Sequence, residues 1–172
     1  LYQKVNNFSF ALKSLDIKKG SRVIIYMPTI PESIIAMLSC ARLGLIHSVV
    51  FAGFSSESLK NRINDCEAEL IITVDSFRRN GKIIMSKETV DNAIRQDCPS
   101  IKNIIVFKNS DEGVSFNPNI DLWWHDILPK SDQTILPEVM SSEDILFILY
   151  TSGSTGKPKG IIHTSAGYLL NC

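Results

Sequence analysis

The chain has 172 residues, 44% hydrophobic and 21% charged, which suits one domain or part of a larger one and excludes a disordered tail. Eighteen Lys plus Arg balance eighteen Asp plus Glu, so no global field steers it to nucleic acid or an anionic membrane, and any anion site is local. The four cysteines, Cys40, Cys66, Cys98 and Cys172, have neither zinc spacing nor the density of a disulfide scaffold, which points to reduced thiols and a cytoplasmic setting.

In chain order, RVIIYM, IHSVVF, ELIITV and NIIVF are short β-branched runs that read as strands, and helical spacing follows each of the first three. PESIIAMLSCARLG predicts a helix with Pro31 in its first turn, an apolar face of Ile34, Ile35, Leu38 and Ala41, and a left-handed stop at Gly44. The most apolar region, Ile34 to Phe54, is broken by Arg42 and His47 before it reaches the roughly 20 residues of a membrane span. SSESLKNRIND, with a serine three positions before Ser58 and Leu59 and Ile63 four apart, and SKETVDNAIRQ, with Ser86 before Glu88 and Val90, suit amphipathic crossovers. Strand–helix alternation with fully apolar strands predicts an α/β fold, a mostly parallel sheet with helices on both faces. Lys108 to Asn119 reads as an exposed excursion, DLWWHDIL as a short amphipathic segment, and SDQTILPEVMSSED as a loop before the apolar run DILFILY. The chain starts at Leu1 and ends with AGYLLNC, a helix just beginning, so it is expected to be a piece of a longer protein cut at both ends.

After DILFILY comes TSGSTGKPKG, with Gly153, Gly156 and Gly160 among the hydroxyls of Thr151, Ser152, Ser154 and Thr155. Glycine-rich turns can point successive amides into one concavity, and a nearby lysine adds a point charge, which together seat phosphate oxygens. Pro158 directly after Lys157 departs from the common kinase-type phosphate loop and opposes a helix, so the chain is expected to turn into a second strand, KGIIHT. A hairpin connection without a ligand is the alternative; ten consecutive residues of this pattern between two apolar strands favour phosphate.

YTSGSTGKPKG resembles the phosphate-loop signature of the acyl-activating (AMP-forming) enzymes. The stretch from MPTIPESIIAMLSC through HSVVFAGFSSESLKNRINDCEAELIITVD, together with DLWWHDIL and HTSAGYLL, is similar to the acetyl-CoA synthetase branch of that superfamily. The resemblance implies a partial large N-terminal domain, residues 1–172, of an adenylate-forming enzyme whose substrates are acetate or another short acid such as propionate, ATP and CoA, with magnesium as a further cofactor. It implies that Thr151, Ser152, Gly153, Ser154, Thr155, Gly156, Lys157, Lys159 and Gly160 grip the β and γ phosphates of ATP. Arg79 and Lys82, with Asn80 and Gly81 between them, are implied to bracket the 3′-phosphate of CoA, and Gly53 to let the CoA adenine or ribose approach the backbone. Ala52 and Ala166 stand where the branch commonly has glycine, harmless if the local φ is negative. The catalytic lysine, the acyl pocket and the adenine-binding segments are implied to lie downstream, so the remainder of its own chain is the partner this piece needs and the piece alone is expected to be inactive. A non-enzymatic nucleotide- or CoA-binding module is the competing class.

The histidines are expected to serve structure: His47 as a packed, hydrogen-bonded core residue, His125 as a packing anchor beside Trp123 and Trp124, and His163 as a wall of the nucleotide site. Asp65 with Glu67, and Glu143 with Asp144, lack the spacing of a dedicated cation site, and no metal ligand is assigned.

Overall fold

The computed structural model describes residues 1–151 and 158–170. Along the chain it forms α1 (Tyr2–Ser14), β1 (Arg22–Met27), α2 (Pro31–Arg42), β2 (Ile46–Phe51), α3 (Ser56–Cys66) and β3 (Leu70–Val74). A short pair, β4 (Phe77–Arg79) and β5 (Lys82–Ile84), precedes α4 (Ser86–Ile94), β6 (Asn103–Phe107), β7 (Asp121–Trp123) and α5 (Trp124–Ile127). β8 (Ile145–Thr151), β9 (Lys159–Thr164) and α6 (Ser165–Leu169) complete it.

Seven strands make one sheet in the order β7–β6–β3–β1–β2–β8–β9. Every neighbouring pair is parallel except β8–β9, which is antiparallel. The expected α/β class and mostly parallel sheet are therefore present, and KGIIHT is a strand. Helix α2 carries the chain from β1 to β2, whereas α3 carries it back across β1 to β3. Right-handed crossovers in opposite directions place these helices on opposite faces. α1 lies against α2, and α4 against α3, so both faces are covered.

Coverage on both faces explains the apolar runs. Val23, Ile24, Ile25, Leu70, Ile71, Ile72, Ile104, Ile105 and Val106 are all buried, each contributing about 1.5–3 kcal/mol of transfer free energy. α3 starts where its sequence predicts, since the Ser55 hydroxyl accepts a hydrogen bond from the Ser58 amide at 3.2 Å. α2 stops before Gly44, whose φ of +65° is the left-handed conformation expected there.

One local expectation is corrected, that for α2, and three details go beyond the sequence reading. The first detail is α1, absent from that reading although Val5, Phe8 and Leu12 recur at helical spacing and are buried; Phe8 stacks on Trp124 with ring centroids 3.5 Å apart. Next, α2 does not bury its expected face: Ile35 is inside, but Ile34 and Leu38 are 45% and 42% exposed, because the helix turns Ala36, Ser39 and Cys40 toward α1 and the sheet. In DLWWHDIL, the first three residues are an edge strand and only Trp124–Ile127 is helical. Finally, Ser86 is the first residue of α4, fully buried, and its hydroxyl has no hydrogen-bond partner.

Two long connections are tied down by polar side chains. Asn6 and Asn7 of α1 accept from the amides of Ile135 and Gln133, each at 2.9 Å, holding the stretch before β8 against the helix layer. Asp75, at the end of β3, accepts from the amides of Ser76, Asn109 and Ser110 at 2.6, 2.9 and 3.1 Å, fixing the root of the excursion after β6. The rest of that excursion is mostly exposed, as expected.

Candidate functional site

Parallel pairing aligns the carboxyl ends of β1, β2, β3 and β8 along one edge of the sheet, where open α/β sheets place ligands. Three candidate segments leave that edge. Ala52 and Gly53 follow β2, the β4–β5 hairpin follows β3, and the glycine-rich segment follows β8.

β8 and β9 form the stem of the glycine-rich segment, with Thr151 opposite Lys159 and Tyr150 opposite Gly160. Ser152, Gly153, Ser154, Thr155, Gly156 and Lys157 lie outside the described residues. Lys159 and Gly160, grouped with the loop in the sequence, belong to β9. A Cβ at Gly160 would stand 3.2 Å from Cε1 of Tyr150 and 3.1 Å from Ile148, so the glycine gives the Tyr150 ring room to lie across its cross-strand partner. The Tyr150 hydroxyl donates to Asp65 Oδ2 at 2.6 Å, and the Arg62 guanidinium lies 5.5 Å from the Tyr150 ring centroid. Burial, followed by the Asp65 carboxylate, pushes the Tyr150 phenol well above its ordinary range, so it stays a donor at neutral pH.

The second segment is a hairpin with Arg79 directly opposite Lys82. Asn80 and Gly81 have φ of 51° and 76°, the paired left-handed geometry of a two-residue Asn-Gly turn. The turn sets both cations on one face of the two-stranded ribbon, exposed, as a clamp for an anion would require. The dipeptide Asn80-Gly81, named from the sequence only as lying between Arg79 and Lys82, was the sequence signal for this hairpin.

Gly53 joins the hairpin to the sheet. A Cβ there would fall 2.7 Å from Phe51 Cε1 and 2.8 Å from Arg79 Nη1, so only glycine fits without displacing them. The Arg79 guanidinium lies 4.9 Å from the Phe51 ring centroid, which orients it beside Gly53. The structure thus brings Gly53, Arg79, Asn80, Gly81 and Lys82 together. Phe51 packs edge-on against Phe54, and Arg62 lies over Phe54 at 4.7 Å, so one strip of rings and guanidinium groups joins the hairpin to the stem of the glycine-rich segment. Phe51, Phe54, Arg62, Asp65 and Tyr150 were not singled out in the sequence as site residues. Arg62 and Asp65 share a helix face, but nothing local shows that Tyr150, 85 positions after Asp65, meets them.

Ala52 and Ala166 are not among the positive-φ residues, so each adds a methyl without backbone strain. His47 is buried as expected but not fully hydrogen-bonded: Nδ1 has no partner, and burial lowers its pKa to about 4. It borders an apolar groove of about 390 Å³ lined also by Ile34, Leu38, Val49, Leu149 and Tyr168. His163 stacks on Phe147 at 4.5 Å and His125 on Trp123 at 5.8 Å. Cys40, Cys66 and Cys98 are free thiols, and burial raises the pKa of each, so none is activated as a nucleophile. Among the described residues, no group of three or more His, Cys, Asp or Glu could hold a metal ion, so the residues present do not by themselves make a magnesium site.

Comparison with known proteins gives one consistent result. A family model described as AMP-binding enzyme matches residues 1–172. The chain is 52% identical over 170 residues to an acetyl-coenzyme A synthetase of Pasteurella multocida and 50% identical to one of Penicillium chrysogenum. In each case 99% of the chain is matched, but only 26% and 25% of the relative's own length. Among solved structures, an acetoacetyl-CoA synthetase from Streptomyces lividans superposes with a TM-score of 0.88 at 27% identity, covering 99% of this chain and 26% of that one.

Proposed function

The chain belongs to the AMP-binding enzyme family, and from that membership we propose that it is part of the large N-terminal domain of an acetate-activating enzyme that makes acetyl-CoA from acetate, ATP and CoA. In the first step the acetate carboxylate, already ionised at neutral pH, attacks the α-phosphorus of ATP, and pyrophosphate departs from acetyl-adenylate. In the second, the CoA thiol attacks the acyl carbon and AMP leaves.

The observation that carries this reading is the β8–β9 stem at the carboxyl edge of the sheet, which delivers Thr151 and Lys159 side by side at the two ends of the glycine-rich segment. In this proposal Thr151, Ser152, Gly153, Ser154, Thr155, Gly156, Lys157, Lys159 and Gly160 hold the β and γ phosphates. Amides, hydroxyls and lysine charge stabilise the leaving pyrophosphate, and the glycines let the segment open to release it. Arg79 and Lys82 take the 3′-phosphate of CoA, with Gly53 giving its adenine or ribose access to the backbone. Lys82 supplies a flexible point charge where an arginine would supply a planar fork. The likeness to acetyl-coenzyme A synthetases favours acetate over propionate. Free thiols at Cys40, Cys66 and Cys98 support a reducing, cytoplasmic compartment.

The test is pyrophosphate–ATP exchange by the full-length protein with acetate, propionate and butyrate. The expected order is acetate, then propionate, then butyrate; exchange with none of the three overturns the proposal.

A further inference from the structure

We propose that Tyr150 is a positioning residue for the phosphate-binding segment, fixed by Arg62 and Asp65 of α3 so that β8 delivers Thr151 in one direction; this rests on the adenylate-forming reading above. The need for such a device follows from the proposed chemistry: phosphate donors must meet the same oxygens each time, so the segment after β8 needs a fixed take-off point. β2 meets β8 in register at His47 and Phe147, well before Thr151, so the end of β8 takes its direction from other contacts.

α3 supplies that point. Its start is capped by Ser55, and Leu59 and Ile63 are fully buried, which makes it a rigid base. From its outer face Asp65 accepts the Tyr150 hydroxyl in a short charge-assisted hydrogen bond. Three positions earlier, Arg62 is 7% exposed and anchored by Nη1 on the Ser58 carbonyl at 2.7 Å, with its guanidinium over the rings of Phe54 and Tyr150. The Tyr150 ring also lies close to Gly160, where a side chain would intrude. Tyr150 is thus held by its hydroxyl, by one ring face and by its cross-strand neighbour, immediately before the segment that the proposed first step uses.

The role is specific to the first half-reaction, because pyrophosphate has left before CoA attacks. In the full-length protein, Tyr150→Phe and Asp65→Ala, each of which removes the hydrogen bond, are expected to raise the KM for ATP and for pyrophosphate in acetate-dependent exchange by about tenfold. Thermal midpoints should stay within a few degrees, and the rate of thioester formation from supplied acetyl-adenylate and CoA should not change. The double variant should match the single ones, since both remove the same bond. Wild-type KM values in Asp65→Ala, equal losses in both half-reactions, or a double variant showing the product of the single effects would each overturn the proposal. Absence of exchange in the unaltered protein would instead overturn the adenylate-forming reading.

Discussion

The two sides of the sheet are built on opposite principles. Around β3 and β6 the strands are covered on both faces and their side chains are almost wholly buried, whereas β8 and β9 leave Leu149, Ile161 and Ile162 at 43%, 46% and 56% exposure. The buried side needs no specific polar anchor to stay in register, since slipping one residue would misplace every apolar side chain. The open side is located by particular pairs, such as Tyr150 with Asp65 and Lys19 with Asp144 at 2.9 Å.

The largest test of this contrast lies on the buried side. Lys87 is 1% exposed and paired with Asp121 at 2.8 Å and Asp91 at 2.6 Å, so Lys87→Met leaves a buried carboxylate without its cation. A loss of about 3–5 kcal/mol in urea unfolding of the full-length protein is expected. Ile72→Ala, in the centre of β3, should cost about 2–5 kcal/mol in the same measurement; a loss under about 1 kcal/mol would contradict its burial between two helix layers.

His47 lies between the two sides, on β2, and gives a pH test of intermediate size. Its folded pKa of about 4 lies below the ordinary 6.5. As pH falls the unfolded chain takes up the proton first, so the stability involved is intact above about 6.5 and is lost progressively toward about 4. Between about pH 7 and pH 5 the loss should reach roughly 2 kcal/mol, and His47→Gln should remove that part of the pH dependence of the unfolding midpoint.

The smallest effect is expected at the hairpin. Gly81→Ala imposes a side chain on φ of +76°, a strain of about 1 kcal/mol, which should appear as a roughly fivefold rise in the KM for CoA with pyrophosphate exchange unchanged.

Much of the buried side was legible in the sequence, because RVIIYM, ELIITV and NIIVF carry their burial in composition alone and Ser55 and Gly44 mark helix ends. The motif after Tyr150 was legible for the same reason, being contiguous. α1 was missed although Val5, Phe8 and Leu12 have helical spacing, since polar residues surround them. The exposed face of α2 was misassigned because Ile34 and Leu38 look like core residues in any local window. The contacts Gly53–Arg79 and Tyr150–Asp65 depend on which strands become neighbours, which no local pattern encodes.

The central claim is that the segment between Tyr150 and Ile161 wraps the terminal phosphates of ATP. A crystal structure of the full-length protein with a non-hydrolysable ATP analogue tests it most directly. The account predicts the β and γ phosphates seated against the backbone between Thr151 and Lys159; a triphosphate bound elsewhere, with this segment out of contact, would contradict it.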